Sequence, residues 1–288
     1  MIFRSKQAHE KKYMIDGFEI LLSADHKLPE YQKNFPMYDR IVPTLGRLAD
    51  IHNARYGGGY IVDVGANVGD TLAAIIKHTT DTVVCVEPVP EYYNLLQENI
   101  NKMGPKYSSR VAAINAFVGH EDSGNYSFLK EHGTAHMIKT DRESAIPTVS
   151  LVNGLKYCGV TVAEVDLIKV DTDGFDAQCI MSLGAELERF NPVLFWEMLI
   201  EKDEQYKSYN SLISYLNSSG YQVFFIFDNY GNMLIKTDAD GVRNINEYVL
   251  RFQHGNSART FFYTDILAVK DDIPAYETVI REYLSNYC

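Results

Sequence analysis

The sequence predicts an α/β fold built on a mainly parallel sheet, and three observations carry that expectation. Short apolar runs recur at 60–64, 82–87, 111–118, 166–171 and 192–197, with stretches of helical spacing between them. Runs such as TVVCVE and PVLFWE are apolar on successive residues, as in strands covered on both faces. The first run also feeds a turn punctuated by Gly65 and Gly69. Strands that alternate with helices make βαβ units.

The elements follow in order. YMIDGFEILL at 13–22 reads as a hairpin turning at Asp16-Gly17. Ile41, Leu45, Leu48 and Ile51 place a helix over 38–53, and YGGGY then breaks the chain. Strand 60–64 leads to helix 69–78, strand 82–87 to helix 90–102, and strand 111–118 follows. Strand 166–171, helix 175–183, strand 192–197 and helix 203–218 continue the pattern. Strands at 221–227 and 262–269 and a helix at 274–284 end it. The segment 120–160 differs: NYSFLK and AHMIKT alternate around EHGT, which predicts a hairpin outside the sheet. Inserts at the carboxyl edge of such sheets often shape a substrate pocket. The expected organisation is an extension over 1–58 packed on a core domain over 59–288.

Composition narrows the function. The 288 residues carry a net charge of −11, which disfavours DNA or RNA as the main partner because phosphate contacts need clustered Lys and Arg. The four cysteines, Cys85, Cys158, Cys179 and Cys288, have no CxxC spacing, so neither a zinc site nor a disulfide framework is expected. The N-terminal stretch lacks a signal-peptide apolar core, and runs such as VFFIF fall far short of a membrane span. These features suggest a soluble protein of a reducing compartment, the cytoplasm. Oligomeric state leaves no mark in the sequence.

The turn itself is informative. In open α/β sheets ligands bind beyond the carboxyl ends of the strands, where the strand order reverses. Gly65 permits a tight turn, Gly69 lets the next helix approach, and Glu87 ends the following strand 22 positions after Gly65. That is near the spacing at which an acid grips ribose hydroxyls. A dinucleotide fingerprint would place a glycine where Asn67 stands, so that the backbone could approach a pyrophosphate. Asn67 suits a nucleoside without phosphates and can adopt unusual backbone angles. S-adenosylmethionine is such a ligand.

IVDVGANVGD, VVCVEPVP, DLIKVDTDGFD and PVLFWEM, in this order, resemble the successive motifs of the FkbM-type methyltransferases. These belong to the class I S-adenosylmethionine-dependent enzymes and are mostly O-methyltransferases. The resemblance spans about 38–270 and implies a Rossmann-like, mainly parallel seven-stranded sheet with an antiparallel last strand. It implies that Asp63, Gly65, Asn67 and Gly69 line the methionine end, that Glu87 holds the ribose, and that Ala116 and Phe117 lie near the adenine. It also implies a small hydroxylated acceptor, a sugar or nucleotide sugar of polysaccharide or natural-product pathways. The family commonly has Glu where Asp173 stands.

Methyl transfer to oxygen needs the acceptor hydroxyl aligned behind the methyl carbon and its proton removed. Asp171, at the end of its strand beside the cofactor, and Asp173 are candidates for that role. The structural alternative for Thr172 or Asp173 is to cap the helix beginning near Phe175. His132 and His136 flank the insert's turn and are candidate bases; with Asp171 and Asp173 they offer a minor possibility of a metal site, though no metal is expected. Lys169, two residues before Asp171 in an apolar run, needs a partner, and Glu197 is the expected one. Tyr38 opens the helix that leads to the glycine-rich turn and is a candidate to reach the cofactor, whereas Tyr92 and Tyr93 read as ordinary helix packing. Two rival readings are a nicotinamide-dependent oxidoreductase, for which Tyr126 and Lys130 match a Tyr-x-x-x-Lys spacing, and a catalytically silent binding protein of the same fold.

Overall fold

The computed structural model describes residues 11–119, 125–131, 134–140, 146–253 and 262–286. The chain opens with β1 (Lys11–Ile15) and β2 (Phe18–Leu22), a hairpin whose Asp16 and Gly17 both adopt positive φ, as the turn chemistry requires. Helices α1 (Leu28–Asn34) and α2 (Val42–Tyr56) follow. The first half of the sheet is β3 (Tyr60–Val64), α3 (Asp70–Ile75), β4 (Thr82–Val86), α4 (Pro90–Lys102), α5 (Pro105–Ser108) and β5 (Val111–Ile114).

The expected strand over 111–118 divides at Asn115. Its side-chain amide donates to the carbonyls of Glu87 and Pro88 at 2.8 and 3.0 Å, and the chain leaves the sheet there. Phe117–Val118 becomes β6. The insert forms the hairpin β7 (Asn125–Glu131) and β8 (Thr134–Thr140), a two-stranded sheet of its own. β9 (Thr148–Val149) then pairs with β6, and α6 (Leu151–Tyr157) starts at Ser150, whose Oγ accepts from Asn153 N–H.

The second half runs β10 (Val165–Val170), α7 (Asp176–Met181), α8 (Glu186–Arg189), β11 (Val193–Met198), α9 (Asp203–Ser218), β12 (Val223–Asp228) and β13 (Met233–Thr237). α10 (Ala239–Gln253), β14 (Thr264–Val269) and α11 (Pro274–Ser285) complete it. β13 and α10 were not anticipated, although Val242, Ile245 and Val249 carry helical spacing and Val242 is fully buried. The strand order is β13-β12-β14-β11-β10-β3-β4-β5. β14 is antiparallel to β11 and β12, the reversed last strand, and β13 adds an eighth strand at the edge.

Alternation along the strands sorts the core into two layers. Ile61, Val83, Leu167, Val193 and Leu267 face α2, α3, α4 and α11, together with the N-terminal hairpin. Val62, Val84, Ile168, Leu194 and Ala268 face α6, α7, α9 and α10. Apolar residues on both faces explain the unbroken apolar runs. The same period-2 rule puts Asp63, Glu87, Lys169, Asp171, Glu197 and Asp265 on one face, that of α2 and the N-terminal hairpin. At the opposite, amino end of the sheet, buried His52 bonds Asp166 at 2.7 Å and the Asn191 carbonyl at 2.9 Å, tying α2 to β10.

Candidate active site

β3 and β10 lie side by side, but the chain proceeds from β3 toward β4 and from β10 toward β11, so the strand order reverses between them. A cavity of about 520 Å³ opens at their carboxyl ends, a size within the range of small-molecule sites. The turn after β3 forms one wall. Gly65 adopts φ +83°, and a Cβ placed on it would stand 1.9 Å from the Asp171 carbonyl oxygen. The turn therefore abuts the end of β10 so closely that only glycine fits. Gly65→Ala is expected to cost at least about 3 kcal/mol, from strain and overpacking together. Gly57→Ala, with φ +76° and no atom within 4 Å of its Cβ, is the control for strain alone and is expected to cost about 1 kcal/mol in chemical unfolding. Equal costs would contradict the close approach.

Asn67 has φ 47°, the left-handed conformation its side chain tolerates. Asn67 N–H donates to Glu87 Oε2 at 2.8 Å, and Val89 N–H donates to Oε1 at 2.7 Å. The 22-residue spacing is thus a physical contact: Glu87 fastens the glycine turn to the end of β4. Burial pushes its carboxyl up to about 7, against the pull of those two N–H donors. Each oxygen retains a lone pair, and Glu87 lines the cavity, so it can accept two further hydrogen bonds from a diol.

Lys169 occupies the centre of the floor. Parallel register places it beside Asp63 on β3 and beside Phe195 on β11. Its Nζ lies 3.4 Å from Asp63 Oδ1 and 3.2 Å from Asp171 Oδ2. The expected Lys169–Glu197 pair is corrected accordingly: Glu197 is two residues beyond Phe195, level with Asp171, and the nearer acid across the sheet is Asp63. Burial alone would push Lys169 down, but Asp171, Asp63 and Asp70 hold it above its ordinary value. Burial raises Asp63 to about 6 even with the Lys169 ammonium beside it.

The Asp171-Thr172-Asp173-Gly174 turn also differs in one respect from expectation. Neither Thr172 nor Asp173 caps α7. Asp176, fully buried, reaches back to accept from Thr172 N–H at 3.3 Å and Gly174 N–H at 3.2 Å, while Asp173 takes φ 51°. Asp176 bonds the turn backward because the positive φ at Asp173 and Gly174 turns these N–H groups toward the helix start. Burial, with Asp171 nearby, pushes Asp176 up to about 8.

The cavity brings together Gly65, Asn67, Glu87, Ala116, Phe117, Asp171 and Asp173. Asp63 and Gly69 stand behind the wall: Asp63 is fully buried under Lys169, and Gly69 makes room for Leu96 of α4. Tyr38 and Tyr92 line the cavity. His132 and the side chain of His136 lie outside the described residues. Among the described residues no group of three or more His, Cys, Asp or Glu side chains is arranged to hold a metal. Tyr126 and Lys130 both fall in β7, where four residues span about 13 Å; the nicotinamide reading needs them one helical turn apart, and a strand cannot supply that.

Sequence reasoning missed part of the wall. Asp39, Tyr263 and Asp265 line the cavity beside Glu197. Asp265 had a signal, an acid inside the apolar strand TDILAV, of the kind that marked Lys169. Asp39, in the bend before α2, had none.

A doubly wound sheet with a ligand cavity at its switch point, an acid-fastened glycine turn and a second acid opposite defines a class I methyltransferase fold. The FkbM methyltransferase domain model matches residues 63–223, more than half of the chain, and the chain belongs to that family. Remote structural likenesses accompany the match. An O-methyltransferase from Bacillus cereus in complex with SAH is 12% identical, with 84% of this chain and 86% of that one covered and a TM-score of 0.45. The plantazolicin methyltransferase BpumL in complex with SAH is 10% identical, with 84% and 88% covered and a TM-score of 0.41. TYW2 of P. horikoshii in complex with MeSAdo is 12% identical, with 92% and 73% covered and a TM-score of 0.45. No curated protein matches the sequence. No helix among the described residues is long and apolar enough to cross a membrane.

Proposed function

We propose that the protein is an S-adenosylmethionine-dependent O-methyltransferase acting on a hydroxyl of a small acceptor, a sugar of a glycan or of a polysaccharide or natural-product precursor, in the cytoplasm. The observation that carries this reading is the pairing of Glu87, bonded to the Asn67 turn on one side of the cavity, with Asp171 on the other. When bound, S-adenosylmethionine supplies a methyl carbon activated by a neighbouring sulfonium. Its net positive charge fits a cavity rich in carboxylates. Glu87 accepts from the ribose hydroxyls, and Ala116 and Phe117, 1% and 4% exposed, offer an apolar slot for adenine. Asp171, with nearly half of its side chain exposed to the cavity, accepts the acceptor's hydroxyl proton as the oxygen approaches the methyl carbon. Lys169 fixes that carboxylate in place. Asp173 stands beside it as a second orienting acid, and His132 and His136 remain candidate acceptor contacts from the insert.

The extension over 1–58 belongs to this reading as a cover for the core domain at 59–288, since Tyr38 reaches the same cavity. The direct test is incubation with methyl-labelled S-adenosylmethionine and a panel of sugars, nucleotide sugars and glycans. The expected product gains one methyl group, lost with Asp171→Ala; transfer to nitrogen or carbon only, or undiminished transfer by the variant, would contradict the assignment.

Cofactor affinity should depend on pH. The Glu87 carboxyl is raised from 4.5 to about 7, so the folded chain holds a proton between those values that the unfolded chain releases. Its contribution to stability is therefore present at low pH and is lost as pH rises through about 7. A ribose diol donates to the ionised form, so SAH is expected to bind about 10-fold more tightly at pH 8 than at pH 6. Calorimetry in two buffers checks this through the proton released on binding; flat affinity across that range would contradict it.

A further inference from the structure

The family match begins at 63 and ends at 223, yet part of the cavity's lining comes from outside it. Tyr31, Tyr38 and Asp39 come from the N-terminal segment, Tyr263 from just before β14 and Asp265 from within it. Eight carboxyl side chains and two lysines line the whole cavity among the described residues, and both lysines are already engaged. Lys27 pairs with Glu30 at 2.9 Å, and Lys169 lies between Asp63 and Asp171. A phosphorylated acceptor entering this chamber finds no unspent cation and several like charges.

Glu197 and Asp265 sharpen the point. They stand directly opposite each other across the antiparallel β11/β14 pair, with Asp171 and Asp39 also facing the chamber. Like charges opposed in this way repel, and a proton or a ligand cation between them relieves the repulsion. A second, independent feature is His26, 8% exposed and part of the same wall. Its Nδ1 accepts Leu28 N–H at 3.3 Å, which leaves Nε2 as the protonated nitrogen, and Nε2 has no hydrogen-bond partner among the described residues. A buried N–H donor without a partner calls for an oxygen acceptor on the ligand. Tyr31 and Tyr38, with ring centroids 5.3 Å apart, add a partly exposed aromatic surface of the kind on which sugar rings and ammonium groups settle.

We infer that the acceptor is an amine-bearing polyol, such as an amino sugar, whose ammonium is held by Glu197 and Asp265 while a neighbouring hydroxyl is presented to Asp171, and that phosphorylated and nucleotide-linked sugars are rejected. The inference rests on the methyltransferase reading and narrows its acceptor class. Glu197 and Asp265 are specificity-determining residues in it; they take no part in the transfer.

The test is calorimetry on the wild-type chain and on Glu197→Gln and Asp265→Asn, first with SAH alone and then, on SAH-loaded protein, with glucosamine, glucose and glucose 6-phosphate as probes. Glucosamine is expected to bind at least about 10-fold more tightly than glucose, with no binding of glucose 6-phosphate. Either variant is expected to remove the preference for the amine while SAH affinity stays within about twofold, a split that general destabilisation would not give. Equal binding of the three probes, a preference for the phosphate, or no glucosamine binding to a chain that binds SAH overturns the inference. Glucosamine binding to a chain that does not bind SAH leaves the charge preference standing and sinks the cofactor reading. Binding of neither overturns both.

Discussion

Lys169→Met is expected to destabilise the protein by about 3–5 kcal/mol, the cost of breaking a buried ion pair by removing one partner. Lys169 and Asp63 are 5% and 0% exposed at their side chains, so neither can recover its interactions from water. Without the ammonium, Asp63 faces the core as an uncompensated charge and takes up a proton. Two consequences separate this mechanism from simple loss of packing. Stability of the variant should fall with rising pH more than that of wild type, because Asp63, already raised by burial with Lys169 beside it, then ionises with no counter-charge. Asp63→Asn in the Lys169→Met background should recover part of the loss, since it replaces the stranded charge with a neutral amide. Chemical unfolding of the single and double variants measures both. A single variant within about 1 kcal/mol of wild type would show that the floor is not held by this ion pair.

Glu87→Gln is expected to weaken SAH binding by about 100-fold, roughly 3 kcal/mol. The substitution preserves shape, but Glu87 accepts from Asn67 N–H and Val89 N–H on separate oxygens. A glutamine offers one acceptor and sets its NH₂ against the other N–H donor, so the turn loosens as the ribose loses its charge-assisted partner. Because Glu87 acts on both, loss of affinity should come with a small loss of stability. Unchanged affinity measured by calorimetry would remove Glu87 from the ribose site.

Most of the architecture was legible because its cause is local. The runs at 60–64 and 82–87 are apolar on consecutive residues because both faces are covered, and Asp16-Gly17 fixes its hairpin by backbone preference alone. Glu87 was found from spacing, since a βαβ unit brings the ends of adjacent strands level. The failures have a common origin in register and in long-range assembly. Choosing Glu197 over Asp63 for Lys169 required knowing which residue of each neighbouring strand stands beside Lys169, and only the pairing with both strands decides that. Neither Thr172 nor Asp173 caps α7, and Asp176 instead ties the preceding turn together around a left-handed Asp173, a property of the folded turn. α10 is hard to read from the sequence because Gly241, Asn244 and Asn246 dilute the helical signal, although Val242 and Val249 keep its spacing. Asp39 enters the site only because α2 folds its N-terminal bend over the cavity, which no local pattern announces.

The central claim is that the Gly65–Gly69 turn and Glu87 hold an adenosine joined to methionine and not to a pyrophosphate. Titration of the wild-type chain with SAH and, separately, with NADH tests it most directly. SAH is expected to bind with one-to-one stoichiometry, sensitive to Glu87→Gln, while NADH gives no heat at the same concentrations. Binding of NADH without SAH would contradict the claim.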